Sequence, residues 1–192
     1  MVLDNTIPRV NLLATKVIFF LFTLTTYSQF RNDFVFANRF ESLSTKQGLS
    51  SNKISDIIQD KDGFLWISSH NGLNKYDGYH FETFQYEIDD LTSLSHSDVK
   101  DLMIANHGKL WAATWGGSAN IFNFEKQTFS KSNNVFNGAL KNIHNHIQCM
   151  YQVKDGSYWL GTLHGLIHFN PNKGSLESYF SEENNTNSIS NN

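Results

Sequence analysis

With a single cysteine, Cys149, in 192 residues, the chain can form no intrachain disulfide. Cys149 sits in an apolar stretch patterned as a strand, where a buried, inert thiol is expected. Basic runs are missing and the net charge is −3, so a phosphate backbone finds no electrostatic footing and nucleic acid is excluded as a partner of this segment. No apolar run reaches the ~20 residues that span a bilayer. There is no Gly-x-Ser-x-Gly elbow and no phosphate-binding loop. Carboxylates are scattered through turns and repeat edges, so no pair of them can be nominated for glycoside hydrolysis. Prolines number only two, against 14% aromatic residues, a mixture that suits sheet more than helix. Hydrophobic residues at 40% and charged residues at 17% mark a globular chain.

The N-terminus has its own pattern. Arg9 and Lys16 precede the apolar run Val17-Ile18-Phe19-Phe20-Leu21-Phe22-Thr23-Leu24, and the polar residues Thr25, Thr26, Tyr27, Ser28 and Gln29 follow. Residues 1–29 are therefore expected to be a secretory signal peptide, cleaved near Ser28 or Gln29. Export to the periplasm follows from that expectation.

What organises the rest is a repeat. Asp62-Gly63-Phe64-Leu65-Trp66-Ile67 reads as a turn and a short apolar strand, and it returns as His107-Gly108-Lys109-Leu110-Trp111-Ala112 and Asp155-Gly156-Ser157-Tyr158-Trp159-Leu160. Gly72, Gly117 and Gly165 each close a second turn six residues after the tryptophan. Trp66, Trp111 and Trp159 are 45 and 48 residues apart. A period of roughly 40–50 residues is that of propeller blades. Four short antiparallel strands are expected per copy, with glycine at Gly63, Gly108 and Gly156 supplying positive φ in the first hairpin turn. The first strands carry the aligned pairs Ile57-Ile58, Leu102-Met103 and Met150-Tyr151; the second strands carry the tryptophans. Third strands are expected at residues 73–76, 119–122 and 166–169, and fourth strands at 81–86, 128–131 and 176–180. A blade buries both faces against its neighbours, so Leu65-Trp66-Ile67 and its two counterparts are expected to pack between blades.

The expected organisation is thus all-β: an outer, ring-closing strand within residues 30–47, blade 1 at 48–93, blade 2 at 94–141 and blade 3 at 142–187. Residues 188–192 read as the start of a fourth blade, because Asn187-Ser188-Ile189-Ser190 echoes Thr92-Ser93-Leu94-Ser95. Three blades do not close a ring that takes about four to eight. The chain is expected to be the N-terminal part of a longer protein.

Laid out in this way, the repeat resembles the two-component regulator propeller repeat. The matching residues are Gly48-Leu49-Ser50-Ser51-Asn52-x-Ile54, Ile58-Gln59-Asp60-x-x-Gly63-x-Leu65-Trp66-Ile67 and Asn71-Gly72-Leu73-Asn74-Lys75-Tyr76-Asp77-Gly78-x-x-Phe81. Blade 3 matches through Asp155-Gly156, Trp159-Leu160-Gly161-Thr162 and His164-Gly165-Leu166. Blade 2 departs, with Ala105 for the turn Asp and Trp115-Gly116-Gly117 for the polar turn. The resemblance implies the periplasmic sensor region of a hybrid two-component histidine kinase anchored in the inner membrane. It implies an oligosaccharide ligand, transcription of carbohydrate-use genes as output, and further blades and a kinase region as partners within the same polypeptide; it leaves a homodimer open. It implies no cofactor and no catalysis by this segment.

The residues themselves offer little for metal chemistry. Asp60-x-Asp62-Gly63 has the start of a calcium loop, but the twelfth position is Asn71 where a bidentate Glu is needed. His144-x-His146 lacks a third ligand. Topology singles out one end of the blades, where the links between blades and the links from second to third strand lie together. That end carries Ser51, Asn52, Ser97, Asn145, His70, Asn71, Trp115, Gly116 and His164. Polar amides, imidazoles and one loop tryptophan suit sugar hydroxyls and faces, so His70, Asn71, Trp115, His164, Asn52 and Asn145 are the candidate ligand residues. A secreted propeller enzyme acting on polysaccharide and a structural or protein-binding propeller are the alternatives.

Overall fold

The computed structural model describes residues 40–116, 119–131 and 146–190. The chain divides into two compact units, residues 1–42 and 43–192. Of the first, only the exposed residues 40–42 are described, and they form no regular structure. The leader expected at residues 1–29 and most of the outer strand expected at 30–47 lie outside the described residues.

The second unit begins with a single 3-10 turn, Thr45–Gln47. Ser44 caps it: its Oγ accepts the Lys46 N–H at 3.3 Å, and its own N–H donates to Gln47 Oε1 at 2.9 Å. Twelve strands follow among the described residues. Blade 1 comprises β1 (Ile54–Gln59), β2 (Leu65–Ser69), β3 (Gly72–Tyr76) and β4 (Phe81–Phe84). Blade 2 comprises β5 (Val99–Ala105), β6 (Lys109–Thr114), β7 (Ala119–Asn123) and β8 (Thr128–Lys131). Blade 3 comprises β9 (Ile147–Gln152), β10 (Tyr158–Thr162), β11 (Gly165–Asn170) and β12 (Ser175–Tyr179). Each group is its own four-stranded antiparallel sheet in sequential order. The fold is therefore an open β-propeller segment of three blades. The fourth strands of blades 1 and 3 stop at Phe84 and Tyr179, short of the expected 86 and 180.

Gly72 and Gly165 open the third strands with φ of 127° and 123°. A Cβ on Gly72 would meet the Phe84 carbonyl oxygen at 2.6 Å, and one on Gly165 would collide with the Tyr179 carbonyl oxygen. Conformation and space both demand glycine at these two places.

The apolar triplets are explained by the two faces of blade 2. Leu102, Leu110, Ala112, Phe122 and Phe129 pack with Trp66, Leu73, Leu94 and Val99. Met103, Trp111, Ala113, Ala119 and Ile121 turn the other way and pack with Ile147, Met150, Tyr158, Leu160, Ile167 and Phe169. Trp66 is fully buried, with Phe122 edge-on at 4.9 Å and Phe84 stacked at 5.9 Å. Trp111 is buried against Tyr158 of the next blade, centroids 5.3 Å apart. Truncating either indole to Ala costs about 3–5 kcal/mol. Trp159 departs from the expected equivalence. It is only half-buried, covered by His168 at 4.3 Å and Tyr179 at 5.8 Å, both from its own blade.

The first strand of every blade carries a bulge at the same place. Ser55, Lys100 and Gln148 are each the extra residue. Immediately after it, Asp56 Oδ2 accepts the Leu102 N–H of blade 2 at 3.0 Å, and Asp101 Oδ2 accepts the Met150 N–H of blade 3 at 2.6 Å. Carboxylates thus tie each first strand to the next. Blade 3 has Cys149 at that position. Its side chain is exposed, which corrects the expectation of a buried thiol: the bulge at Gln148 resets the alternation that the apolar pattern suggested.

Candidate functional site

The loop joining second and third strands is pinned to the start of the first strand in each blade. His70 N–H donates to the Lys53 carbonyl at 3.1 Å, Trp115 N–H to the Asp98 carbonyl at 2.8 Å, and Leu163 N–H to the His146 carbonyl at 3.1 Å. These equivalent bonds gather the three loops at one end of the sheets. Trp115 is 39% exposed there.

Side chains from all three blades meet around it. The Lys100 ammonium lies over the Trp115 ring, 5.0 Å from its centroid, and donates to Asp98 Oδ2 at 2.8 Å. Lys100 is the bulged residue of β5, so the bulge aims its side chain at the loop. His70 Nδ1 of blade 1 lies 4.0 Å from the same Asp98 oxygen. On the other side, the His146 ring of blade 3 is 5.0 Å from Trp115, and its Nδ1 accepts the Gly116 N–H at 3.1 Å. His164 follows, its ring 6.4 Å from His146. Asp98 Oδ1 is buried and has no hydrogen-bond partner among the described residues.

Of the six candidate ligand residues, the structure brings His70, Trp115 and His164 into this row. Asn52 and Asn71 bond to nearby backbone. Asn52 Oδ1 accepts the Thr45 N–H at 3.0 Å, and Asn71 Nδ2 donates to the Ser50 carbonyl at 3.3 Å. Asn145, like His144 and Gly117, lies outside the described residues. Three members were not foreseen from sequence: Asp98, Lys100 and His146. Only the bulge and the loop bonds bring them to Trp115. The repeat alignment places His146 beside Asp98 and Lys53, the residues whose carbonyls take the loop N–H, and that was the available signal.

An indole flanked by imidazoles, an ammonium and a carboxylate can stack on an apolar ring face and exchange hydrogen bonds with hydroxyls around it. No group of three or more His, Cys, Asp or Glu side chains able to hold a metal ion is present among the described residues.

The two-component regulator propeller family model matches residues 48–71 and 143–164. A histidine kinase of Formosa agariphila is 36% identical over 85 residues, which is 44% of this chain and 6% of that protein. Among solved structures, the extracellular domain of a protein of B. thetaiotaomicron described as a hybrid two-component system is similar at 26% identity and a TM-score of 0.61, over 73% of this chain and 20% of that one. A second such extracellular domain from the same organism, at 21% identity and a TM-score of 0.63, covers 82% of this chain and 20% of its own and shares the fold. The chain thus spans a small fraction of the proteins it matches. Two segments of the chain match the two-component regulator propeller model, a third copy lies in register between them, and the fold is shared with those extracellular domains.

Proposed function

We propose that this chain is a ligand-sensing part of the periplasmic region of a hybrid two-component histidine kinase receptor, and that it takes an oligosaccharide at the end marked by Trp115. The observation that carries the reading is the row of His70, Lys100, Trp115, His146 and His164, contributed by three successive blades around an exposed indole. The likeness to an extracellular domain of a hybrid two-component system supports the class of receptor. Export by residues 1–29, anchoring in the inner membrane, and control of carbohydrate-use genes through the kinase belong to the same proposal.

Calorimetric titration of the full-length protein with an oligosaccharide panel tests it. Binding without turnover is expected, weakened by about tenfold in Trp115→Ala, the scale of one lost aromatic contact. Product release identifies a secreted enzyme instead. Absence of glycan binding with tight capture of a protein partner identifies a scaffold. Unaltered glycan binding in both Trp115→Ala and His70→Ala removes the proposed surface.

A further inference from the structure

At the opposite end of the sheets, where first and second strands are joined, neighbouring blades leave a cleft between them. Equivalent positions build it twice. Between blades 1 and 2 it has about 200 Å³ and includes Asp60, Ile104 and Phe124 in its lining. Between blades 2 and 3 the corresponding residues are Ala105, Gln152 and Pro171, and the cleft has about 340 Å³, with Trp111 and Tyr158 on its wall. Ligand sites begin at roughly 300 Å³, so only the second is of that size.

Two replacements account for the difference. In blade 1 the Asp60 carboxylate fills the space beside Trp66, accepting the indole N–H at 2.8 Å and the backbone N–H groups of Asp62 and Phe64 at 3.0 Å. In blade 2 Ala105 leaves only a methyl group there. Phe124 packs edge-on against Trp66 at 6.0 Å; the next blade has the smaller Pro171. Blade 1 therefore displays the group this position receives, a carboxylate, and blade 2 lacks it.

The charges around the larger cleft agree. Lys109 and Lys154 line it, both exposed, and neither makes an ion pair among the described residues. Its one acidic side chain, Asp155, is occupied within its own turn, where Oδ1 accepts from Ser157 N at 2.9 Å and from Ser157 Oγ at 2.6 Å. In the smaller cleft, Lys61 is already paired with Asp62 at 2.9 Å.

We propose that the cleft between blades 2 and 3 is a second ligand site. It takes a hydroxylated carboxylate of sugar-acid size, whose carboxylate enters the volume that Asp60 holds in blade 1. Lys109 and Lys154 attract the anion at the mouth, and the Trp111 and Tyr158 rings flank its body.

Titration of the full-length protein with D-glucuronate, and with D-glucose as the neutral control, tests the proposal. Saturable glucuronate binding is expected, weakened by added salt, with no uptake of glucose. Ala105→Asp restores the blade 1 carboxylate and is expected to weaken glucuronate binding by about tenfold or more, with the melting temperature kept or raised. Lys154→Gln, on an exposed side chain that leaves the fold intact, is expected to weaken it a few-fold and to flatten the salt dependence. Trp115→Ala, at the other end, is expected to leave glucuronate affinity unchanged, so the two sites are told apart. The proposal is overturned by absence of saturable glucuronate binding, by equal binding of glucose, by loss of glucuronate binding in Trp115→Ala, or by unaltered affinity in Lys154→Gln.

Discussion

Asp60→Ala is the most informative single change in blade 1. Asp60 is 91% buried and its two oxygens satisfy three donors. The turn residues 61–63 are exposed, so the Asp62 N–H can recover a water partner, and the Phe64 N–H, on a partly buried residue, largely can. The Trp66 indole cannot, because its side chain is fully buried between blades. Losing a charged acceptor while leaving that donor orphaned costs about 1–3 kcal/mol, and the vacated volume adds a smaller cavity term, for roughly 2–3 kcal/mol in all. Trp66→Phe removes the donor and keeps a ring. A double-mutant cycle in urea, followed by circular dichroism so that the tryptophan change does not disturb the signal, isolates the indole share. A coupling of about 1–2 kcal/mol is expected between the two positions. Strictly additive effects, or a cost for Asp60→Ala below about 0.5 kcal/mol, refute the assignment of Asp60 as the clamp on its tryptophan.

Four further outcomes are expected, three from the structure and the last from the proposal of export. Burial first, and the charge of Asp56 second, push the Asp101 carboxyl up to about 6 from its usual 3.8. The fold therefore binds that proton more tightly than the unfolded chain. Its contribution to stability is present below about pH 4 and is lost as pH rises through 6, by roughly 1–3 kcal/mol; Asp101→Asn should flatten a melting-temperature profile in that window. Gly72→Ala and Gly165→Ala should each destabilise by more than about 1 kcal/mol in urea, since both the positive φ and the facing carbonyl oppose a Cβ. Cys149 should react with a thiol reagent in the folded protein, and protection until denaturation would contradict its exposure. N-terminal sequencing of the exported protein should begin near residues 28–30.

Tryptophan spacing and turn glycines made the blades legible, because a propeller repeats one sheet and each sheet must bury both faces. The strand ends were less legible: whether β4 continues past Phe84 depends on a neighbour to pair with, which residues 85 and 86 do not announce. Trp159 shows the same limit. Its local sequence matches Trp66 and Trp111, yet burial of those two comes from Phe122 and Tyr158 of the following blade. The loop site was half legible. Topology alone points to His70, Trp115 and His164, whereas Lys100 reaches Trp115 only because a bulge turns it there, and no periodicity reports a single extra residue. Asn52 and Asn71 each bond to nearby backbone, as a turn amide does as readily as it meets a ligand, and no sequence pattern separates the two uses.

The carboxylate ties between first strands give the array a direction. Asp56 of blade 1 holds an amide of blade 2 and Asp101 of blade 2 holds an amide of blade 3, whereas the bonds running the other way come from an imidazole and an amide, His146 Nδ1 accepting the Gly116 N–H and Gln152 Oε1 the Asn106 N–H. The carboxylate ties alone run in one sense, like links hooked forward, and in a nearest-neighbour array each junction adds its own interface term. Blade 3 offers Cys149 where the hook should be. A hydrogen-exchange map should show the Leu102 and Met150 amides, each held by a carboxylate of the preceding blade, among the protected amides of β5 and β9.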